Sequence, residues 1–358
     1  MKEKRVLRII ENMQKHNLKQ MIVTSPAAIF YLTGKWIEPG ERLLALYINV
    51  EGDKRLFINE LFPIDKDEDL DLIIYNDVQD PINIMRDFIN RDQILGIDKN
   101  WPSHFLIKFM ENNIAPGYVN SSPIVDRVRM IKDEEEIALM RENSKINDRV
   151  MSKLVALIAK DYDEKKICGI LSELYEEEGA SGFSFHPLIA YGKNAAEPHH
   201  DSDKSRLSTG DSVILDIGGR KDNYCSDMTR TVFYKELSDE AKNIYNIVLE
   251  ANLEAIDKVK PGARFCDIDR AARGLIENHG YGKYFTHRTG HNIGIEVHDF
   301  GDVSAVNEDI VQPGMIFSIE PGIYLPNKLG VRIEDLVLVT EQGVEVLNSY
   351  TKKLQVIE

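Results

Sequence analysis

The sequence predicts an α/β domain followed by a larger α+β domain built on a pseudo-twofold internal repeat. Three observations predict it. Short apolar runs alternate with helical patterns up to about Asn120, the pattern then switches to a long helix near Ile131, and from there helical stretches precede a strand-rich run twice over. A length of 358 residues with 43% hydrophobic and 8% aromatic content supplies material for two sizeable cores.

The opening segment, MKEKRVLRIIENMQKHNLKQ, is an amphipathic run broken by charges. No uncharged apolar stretch reaches the roughly 18 residues of a membrane span, so neither a span nor a signal peptide is expected. From Met21, MIVTS reads as a strand, and RLLALYINV and KRLFINEL read as a hairpin around Glu51-Gly52-Asp53. LIIY and ILGID read as further strands, PINIMRDFIN and SHFLIKFMENN as helices. The boundary is expected at 125/126, giving domains 1–125 and 126–358.

Beyond it, KDEEEIALMRENSKINDRVMSKLVALIAK carries acids in its first turn and apolar residues at three-to-four spacing, as a long helix should. Helices are expected over about 133–159 and 163–178, then strands to Tyr234. The order repeats, with helices over about 238–258, capped by Ser238, and 266–279, then strands to Leu347. Two such halves would assemble one sheet with helices outside and a site between them.

The 59 acidic and 44 basic residues leave a formal charge of −15, which offers no footprint for a phosphate backbone and argues against nucleic acid as a partner. Cys168, Cys225 and Cys266 are odd in number and lack any CxxC pair, which argues against disulfides or a thiolate zinc site. A reducing cytoplasm is the expected location.

The chemistry lies in the second half. Asp216 sits between Leu215 and Ile217 in an apolar strand, and Asp227 follows 11 residues later. Glu320 comes directly after a hydrophobic strand, and Glu334 stands in another, 14 residues on. A carboxylate in such a run is costly unless paired or metal-bound. His287, His291 and His298 cluster between these pairs in THRTGHNIGIEVHD. Four carboxylates with imidazole suit hard or borderline cations, manganese foremost, with cobalt, zinc or iron as alternatives. Four negative charges exceed one divalent ion, so two ions about 3.5 Å apart are the natural reading.

The order Asp, Asp, His, Glu, Glu and the contexts DIGxxxxxYCSDxTRT, HRTGHxIGxEVH, SIEPGIY and VRIED resemble the pita-bread metallopeptidases, in their proline peptidase branch of Xaa-Pro dipeptidase (prolidase) and aminopeptidase P. The resemblance spans about residues 127–350. YLTG, Tyr31 to Gly34, resembles the amino-terminal domain of prolidases and creatinases. The resemblance implies a creatinase/prolidase-like leader, a pita-bread domain and hydrolysis of Xaa-Pro dipeptides by a hydroxide bridging two metal ions. It makes Asp227 and Glu334 the bridging carboxylates, puts Asp216 on one ion, and puts His291 and Glu320 on the other. Glu320 would also take the proton from the water. His199, His298, His287 and Arg332 match substrate-side or ligand-orienting positions. A homodimer is implied, and Lys35 to Arg42 is either a loop reaching toward an active site, that of a dimer mate, or a solvated turn.

Arg332 shares a strand face with Glu334 and either balances the carboxylates or contacts substrate. Arg288 is either solvated or a fork for the substrate carboxylate. Gly290, Gly294 and Gly322 would let backbone pass close to the site. Phe185 and Tyr324 are either core or the lining of a proline pocket. Asn292 stands where the family usually has Gly, Asp299 where Glu is common, and His200 where an aromatic is frequent. The arginine that some dipeptidases carry shortly after the position of His298 is missing. Aminopeptidase P, acting on longer peptides, is the alternative within the class, and a non-catalytic binding protein the alternative outside it. Methionine aminopeptidase lacks such a leader, and creatinase lacks the ligand set.

Overall fold

The computed structural model describes residues 1–65, 69–160 and 162–358. The chain divides into two compact units, Met1–Arg129 and Met130–Glu358. In order, the first contains α1 (Glu3–Lys15), β1 (Gln20–Val23), α2 (Pro26–Thr33), β2 (Ala45–Asn49), β3 (Lys54–Asn59), β4 (Asp71–Tyr75), α3 (Pro81–Arg86), β5 (Leu95–Ile97), α4 (Ser103–Glu111), β6 (Tyr118–Asn120) and α5 (Ser122–Met130). Helix α5 crosses the 125/126 position. Ser121 leads into this helix, which Ser122 and Pro123 open: the Ser122 hydroxyl accepts from Lys99 N at 2.7 Å, and Ser121 N donates to Ile97 O at 3.0 Å.

One sheet in the order β4-β3-β2-β1-β5-β6 organises this unit. The β2–β3 hairpin turns at Gly52, whose φ of 100° needs a residue without Cβ. Ile22, Tyr47, Phe57, Leu95, Trp101 and Phe109 pack into one core. In the loop 35–42, Arg42 forks onto both oxygens of Asp77 at 2.8 Å and Trp36 donates to Glu38 at 2.9 Å.

The second unit contains α6 (Glu134–Ile158), α7 (Glu164–Glu177), β7 (Gly182–Phe183), β8 (Leu188–Tyr191), β9 (Ser212–Ile217), β10 (Gly219–Lys221), β11 (Tyr224–Cys225) and β12 (Met228–Tyr234). Then follow α8 (Asp239–Lys258), α9 (Phe265–Asn278), β13 (Gly290–His291), β14 (Asp302–Val303), β15 (Ile316–Ile319), β16 (Gly322–Leu325), β17 (Leu329–Arg332), β18 (Asp335–Thr340), β19 (Gly343–Val346) and β20 (Val356–Ile357). The two longest helices, α6 and α8, start on side-chain caps. Asp133 and Glu136 form a capping box on α6, and the Ser238 hydroxyl accepts from Ala241 N on α8.

The doubling is visible in the packing. Helices α6 and α7 bury Val150, Leu154 and Leu171 against Leu215 and Val232 of the sheet β20-β12-β9-β8. Helices α8 and α9 bury Val248 and Phe265 against Phe317, Val331 and Val337 of the second-half strands. The halves do not share one continuous ladder, which corrects the expectation of a single sheet. At the junction the Thr231 hydroxyl accepts from Arg332 N at 3.1 Å and donates to Arg332 O at 2.8 Å. Pro321, lacking an N–H, separates β15 from β16, and the second-half strands fall into the short sheets β13-β14, β15-β18-β19 and β16-β17. No helix among the described residues is long and apolar enough to cross a membrane.

Candidate metal centre

Strands β9 and β12 are antiparallel, with Asp216 opposite Thr229 and Ile217 opposite Met228. Asp227 therefore enters β12 two residues before Thr229 and on the same face. From the second half, His291 ends β13, Glu320 follows β15, and Glu334 lies between β17 and β18. Close approach is built in at Gly290, where a Cβ would fall 1.8 Å from the Ser318 carbonyl oxygen. That approach lets the Ser318 hydroxyl accept from His291 N at 3.0 Å while donating to Glu320 Oε1 at 3.3 Å.

The ends of these strands are gripped by asparagines on the two long helices. Asn147 of α6 donates to the carbonyl of Ile217, next to Asp216, at 3.0 Å. Asn252 of α8 donates to Ile319 O at 3.0 Å and Ile333 O at 3.3 Å, the residues preceding Glu320 and Glu334. Both asparagines are fully buried. Their signal in sequence was a polar residue on an apolar helix face: Asn147 sits among Asn143, Ile146 and Val150, and Asn252 among Val248, Ala255 and Ile256. Thr229 likewise went unread. Its hydroxyl donates to Glu334 Oε2 at 2.7 Å and accepts from Arg332 Nε at 3.1 Å.

All five candidate ligands line one cavity of about 620 Å³. Asp227, His291 and Glu334 offer ligand atoms within 4.8 Å of one another. His291 Nε2 stands 3.6 Å from both Asp227 Oδ2 and Glu320 Oε1. The His291 side chain points Nδ1 at Asn292 O, 3.2 Å away, leaving Nε2 for the cluster. Asp216 Oδ1 and Asp227 Oδ1 are buried and have no hydrogen-bond partner among the described residues. Orphaned carboxylate oxygens of this kind fit a cation, and the oxygen-rich donor set fits a hard or borderline one.

The electrostatics agree. Burial, then Glu334, Asp216 and Glu320, pushes the Asp227 carboxyl well above its ordinary range. Burial, then Glu320 and Asp216, does the same to Glu334, and burial raises Glu320 to about 7. So many carboxylates cannot all ionise together beside a single guanidinium. Burial, then the neighbouring His298, lowers His291 to about 3, so its imidazole is neutral and able to ligate.

Arg332 is 3% exposed and its Nη2 lies 2.6 Å from Asp216 Oδ2. It pairs with Asp216 and also lines the cavity. Its Nη1 donates to the Tyr324 hydroxyl at 2.9 Å, and Tyr324 pairs with His287 Nε2 at 2.8 Å. His287 Nδ1 lies 2.7 Å from Arg288 O. Burial, then Arg332, lowers His287 to about 3. The neutral ring therefore accepts from Tyr324 and donates to the Arg288 carbonyl, which links the carboxylates to the backbone carrying Arg288. Tyr324 stands behind the cavity wall, whereas Phe185 lines it. Arg288, His199 and His298 also line the cavity. His298 packs edge to face on His291, ring centres 4.3 Å apart, and burial lowers its pKa. Asn292 is fully buried, and Asp299 pairs with Lys132 at 3.5 Å, so these two departures from the family pattern fall outside the cavity, whereas the third, His200, lines it.

Residues 138–341 match the model of metallopeptidase family M24, and residues 5–131 match the creatinase/prolidase N-terminal domain. The chain belongs to metallopeptidase family M24. A Staphylococcus aureus (strain MW2) protein described as an uncharacterized peptidase is 35% identical over 359 residues, covering 97% of this chain and 99% of the relative. Among solved M24-like structures, recombinant prolidase from Thermococcus sibiricus superposes with a TM-score of 0.93 at 32% identity, covering 100% of this chain and 99% of that one. An X-Pro aminopeptidase from Thermotoga maritima superposes at 0.83 with 27% identity, covering 97% and 100%. The whole-chain match to the prolidase agrees with the pita-bread architecture and the creatinase/prolidase-like leader expected from sequence.

Proposed function

We propose that this M24 metallopeptidase hydrolyses the Xaa-Pro bond of dipeptides with two divalent ions, manganese foremost, held by Asp216, Asp227, His291, Glu320 and Glu334. The observation that carries the reading is the convergence of these five side chains in one cavity with two carboxylate oxygens left unpartnered. In this reading Asp227 and Glu334 serve both ions, Asp216 one, and His291 with Glu320 the other. When bound, two such ions supply a water activated for attack at neutral pH.

The chain's own groups do the rest. Glu320, steadied by the Ser318 hydroxyl, receives the proton given up during attack. His298 and His199 on the cavity wall donate to the scissile carbonyl and to the negative charge that develops on it. Arg332, Tyr324 and His287 hold Asp216 and the Arg288 backbone in register.

Beside the carboxylates, the cavity lining carries the nitrogen donors of His186, His199, Arg288 and His298. Such donors suit a substrate with an anionic far end, the free carboxylate of a dipeptide, with Arg288 as its fork. Longer peptides present a neutral amide there, which makes aminopeptidase P the second reading. The three free cysteines fit a cytoplasmic enzyme, and a homodimer belongs to the same reading.

The test compares an Xaa-Pro dipeptide with an Xaa-Pro tripeptide on manganese-loaded protein. The dipeptide is expected to lead by at least about tenfold in kcat/KM, a difference of one charge-assisted contact. A lead for the tripeptide assigns the aminopeptidase reading instead. Glu320→Gln is expected to lose about 10³-fold in kcat, within the range for a missing general base, and unchanged turnover overturns the mechanism.

A further inference from the structure

The first residue of α7, Glu164, carries a fully buried carboxylate. It accepts four hydrogen bonds. Oε1 takes Tyr191 N at 2.8 Å and Asn194 Nδ2 at 2.9 Å, while Oε2 takes Asp203 N at 2.9 Å and His200 Nε2 at 2.8 Å. All four donors belong to one excursion of the chain, the connection from the end of β8 toward β9, and this excursion supplies Pro198, His199 and His200 to the cavity wall. Glu164, His200 and Asp203 come close enough to share an ion. Both Glu164 oxygens are already saturated, however, and Asp203 Oδ1 accepts from Ser205 N at 2.6 Å, so the trio is complete as a hydrogen-bonded clamp.

The clamp fixes His200 in an unusual position. Its side chain is 10% exposed, its Nε2 is committed to Glu164, and its ring lies on the wall of the active cavity beside Pro198 and His199. Its Nδ1 has no partner among the described residues. In the imidazolium form both ring nitrogens donate, so a single ring can bridge a buried carboxylate behind it and a second carboxylate in front. An apolar side chain at this position could do neither.

We infer that His200, held by Glu164, is a specificity-determining residue that donates from Nδ1 to the free carboxylate of the proline end of the substrate, sharing that group with Arg288. This rests on the proline-dipeptide reading of the cavity. Glu164 is then a positioning residue that acts through His200.

The experiment measures calorimetric binding of L-proline and L-prolinamide to manganese-loaded full-length protein, wild type against His200→Gln and His200→Phe. Glutamine preserves a donor toward Glu164 and removes the group at Nδ1, whereas phenylalanine removes both. The preference for proline over prolinamide is expected to fall about tenfold in both variants, the loss of one charge-assisted hydrogen bond, with the melting temperature of His200→Gln close to wild type. A proline preference fully retained in His200→Gln overturns the assignment and leaves His200 a purely structural partner of Glu164. Absence of any proline preference in wild type overturns it too. A wild-type protein that prefers proline but turns over no Xaa-Pro dipeptide leaves His200 in place and removes the peptidase reading alone.

Discussion

The two halves of the catalytic unit reach the same cavity by different means. The first half delivers Asp216 from one strand, and Asp227 from the entry to its neighbour, of one continuous antiparallel ladder six residue pairs long. The second half delivers His291, Glu320 and Glu334 from short strand ends interrupted by Pro321 and held together by side chains. Register does the positioning in the first half. Hydrogen bonds from Ser318, Thr229 and Asn252 do it in the second. A half built on register tolerates loss of a supporting contact, whereas one built on side-chain struts does not.

The largest test of this contrast removes a ligand charge from the ladder side. Asp227 is 4% exposed, and in the proposed centre it serves both ions. Asp227→Asn keeps shape and register but removes the charge. It is expected to lower turnover by about 10³-fold or more, with at least one manganese lost per chain by elemental analysis. A variant that retains two ions with normal turnover rejects the bridging role.

Next in size is Arg332→Met, which takes away the guanidinium that joins the halves by touching Asp216, Thr229 and Tyr324. Removing one member of a buried pair destabilises by about 3–5 kcal/mol, measured here by urea denaturation of the metal-free protein. Because Tyr324 then loses its donor, His287 and the backbone of Arg288 are expected to loosen, seen as a larger rise in KM for the dipeptide than fall in kcat. The reverse split would place Arg332 in direct contact with the reacting group.

A pH series separates the cluster's own repulsion from the support around it. Burial raises Glu320 from its ordinary 4.5 to about 7, and Asp227 and Glu334 move the same way. Between those values these carboxylates hold more protons in the metal-free folded state than in the unfolded chain, a contribution that is full at low pH and lost as pH rises through about 7. The lowered His287, His291 and His298 act the other way below their ordinary 6.5. Above the histidines' ordinary 6.5 only the carboxylates still act, so the melting temperature of metal-free protein is expected to fall from about pH 6.5 to about pH 8, and manganese at the higher pH to restore it. A metal-free protein that grows more stable over that range contradicts the proposed cluster.

How much of this was legible in sequence follows the same division. The helices of the repeat were read to within a residue or two, because caps such as Asp133 and Ser238 and the three-to-four spacing are local signals. Asp216 and Glu334 stood out because a carboxylate inside an apolar strand has no local excuse. The clamp of Glu164 on His200 was not readable, since the residues lie 36 apart and Glu164 looks like any acid in a first helical turn. Pairing across the junction was misread as one sheet, because alternation of strands cannot tell a ladder from two sheets bridged by the Thr231 hydroxyl. The family resemblance supplied roles for the histidines that spacing alone left open.

The finest test compares the two buried asparagines directly. Asn147→Ala and Asn252→Ala each leave buried carbonyls unsatisfied and are expected to cost about 1–3 kcal/mol in urea denaturation. Their effects on metal affinity should differ. Asn147 accepts from the Tyr175 hydroxyl and, toward the metal centre, donates only to Ile217 O beside Asp216, whose place is also held by pairing with β12. Asn252 holds the residues before both Glu320 and Glu334, and Lys352 Nζ, at 2.9 Å, anchors Asn252 in turn. Manganese affinity by calorimetric titration is therefore expected to fall about tenfold in Asn252→Ala, the scale of an outer partner's loss, and to change less in Asn147→Ala. Equal losses would mean that the ladder gives Asp216 no independent hold, and that both halves depend on their long helices alike.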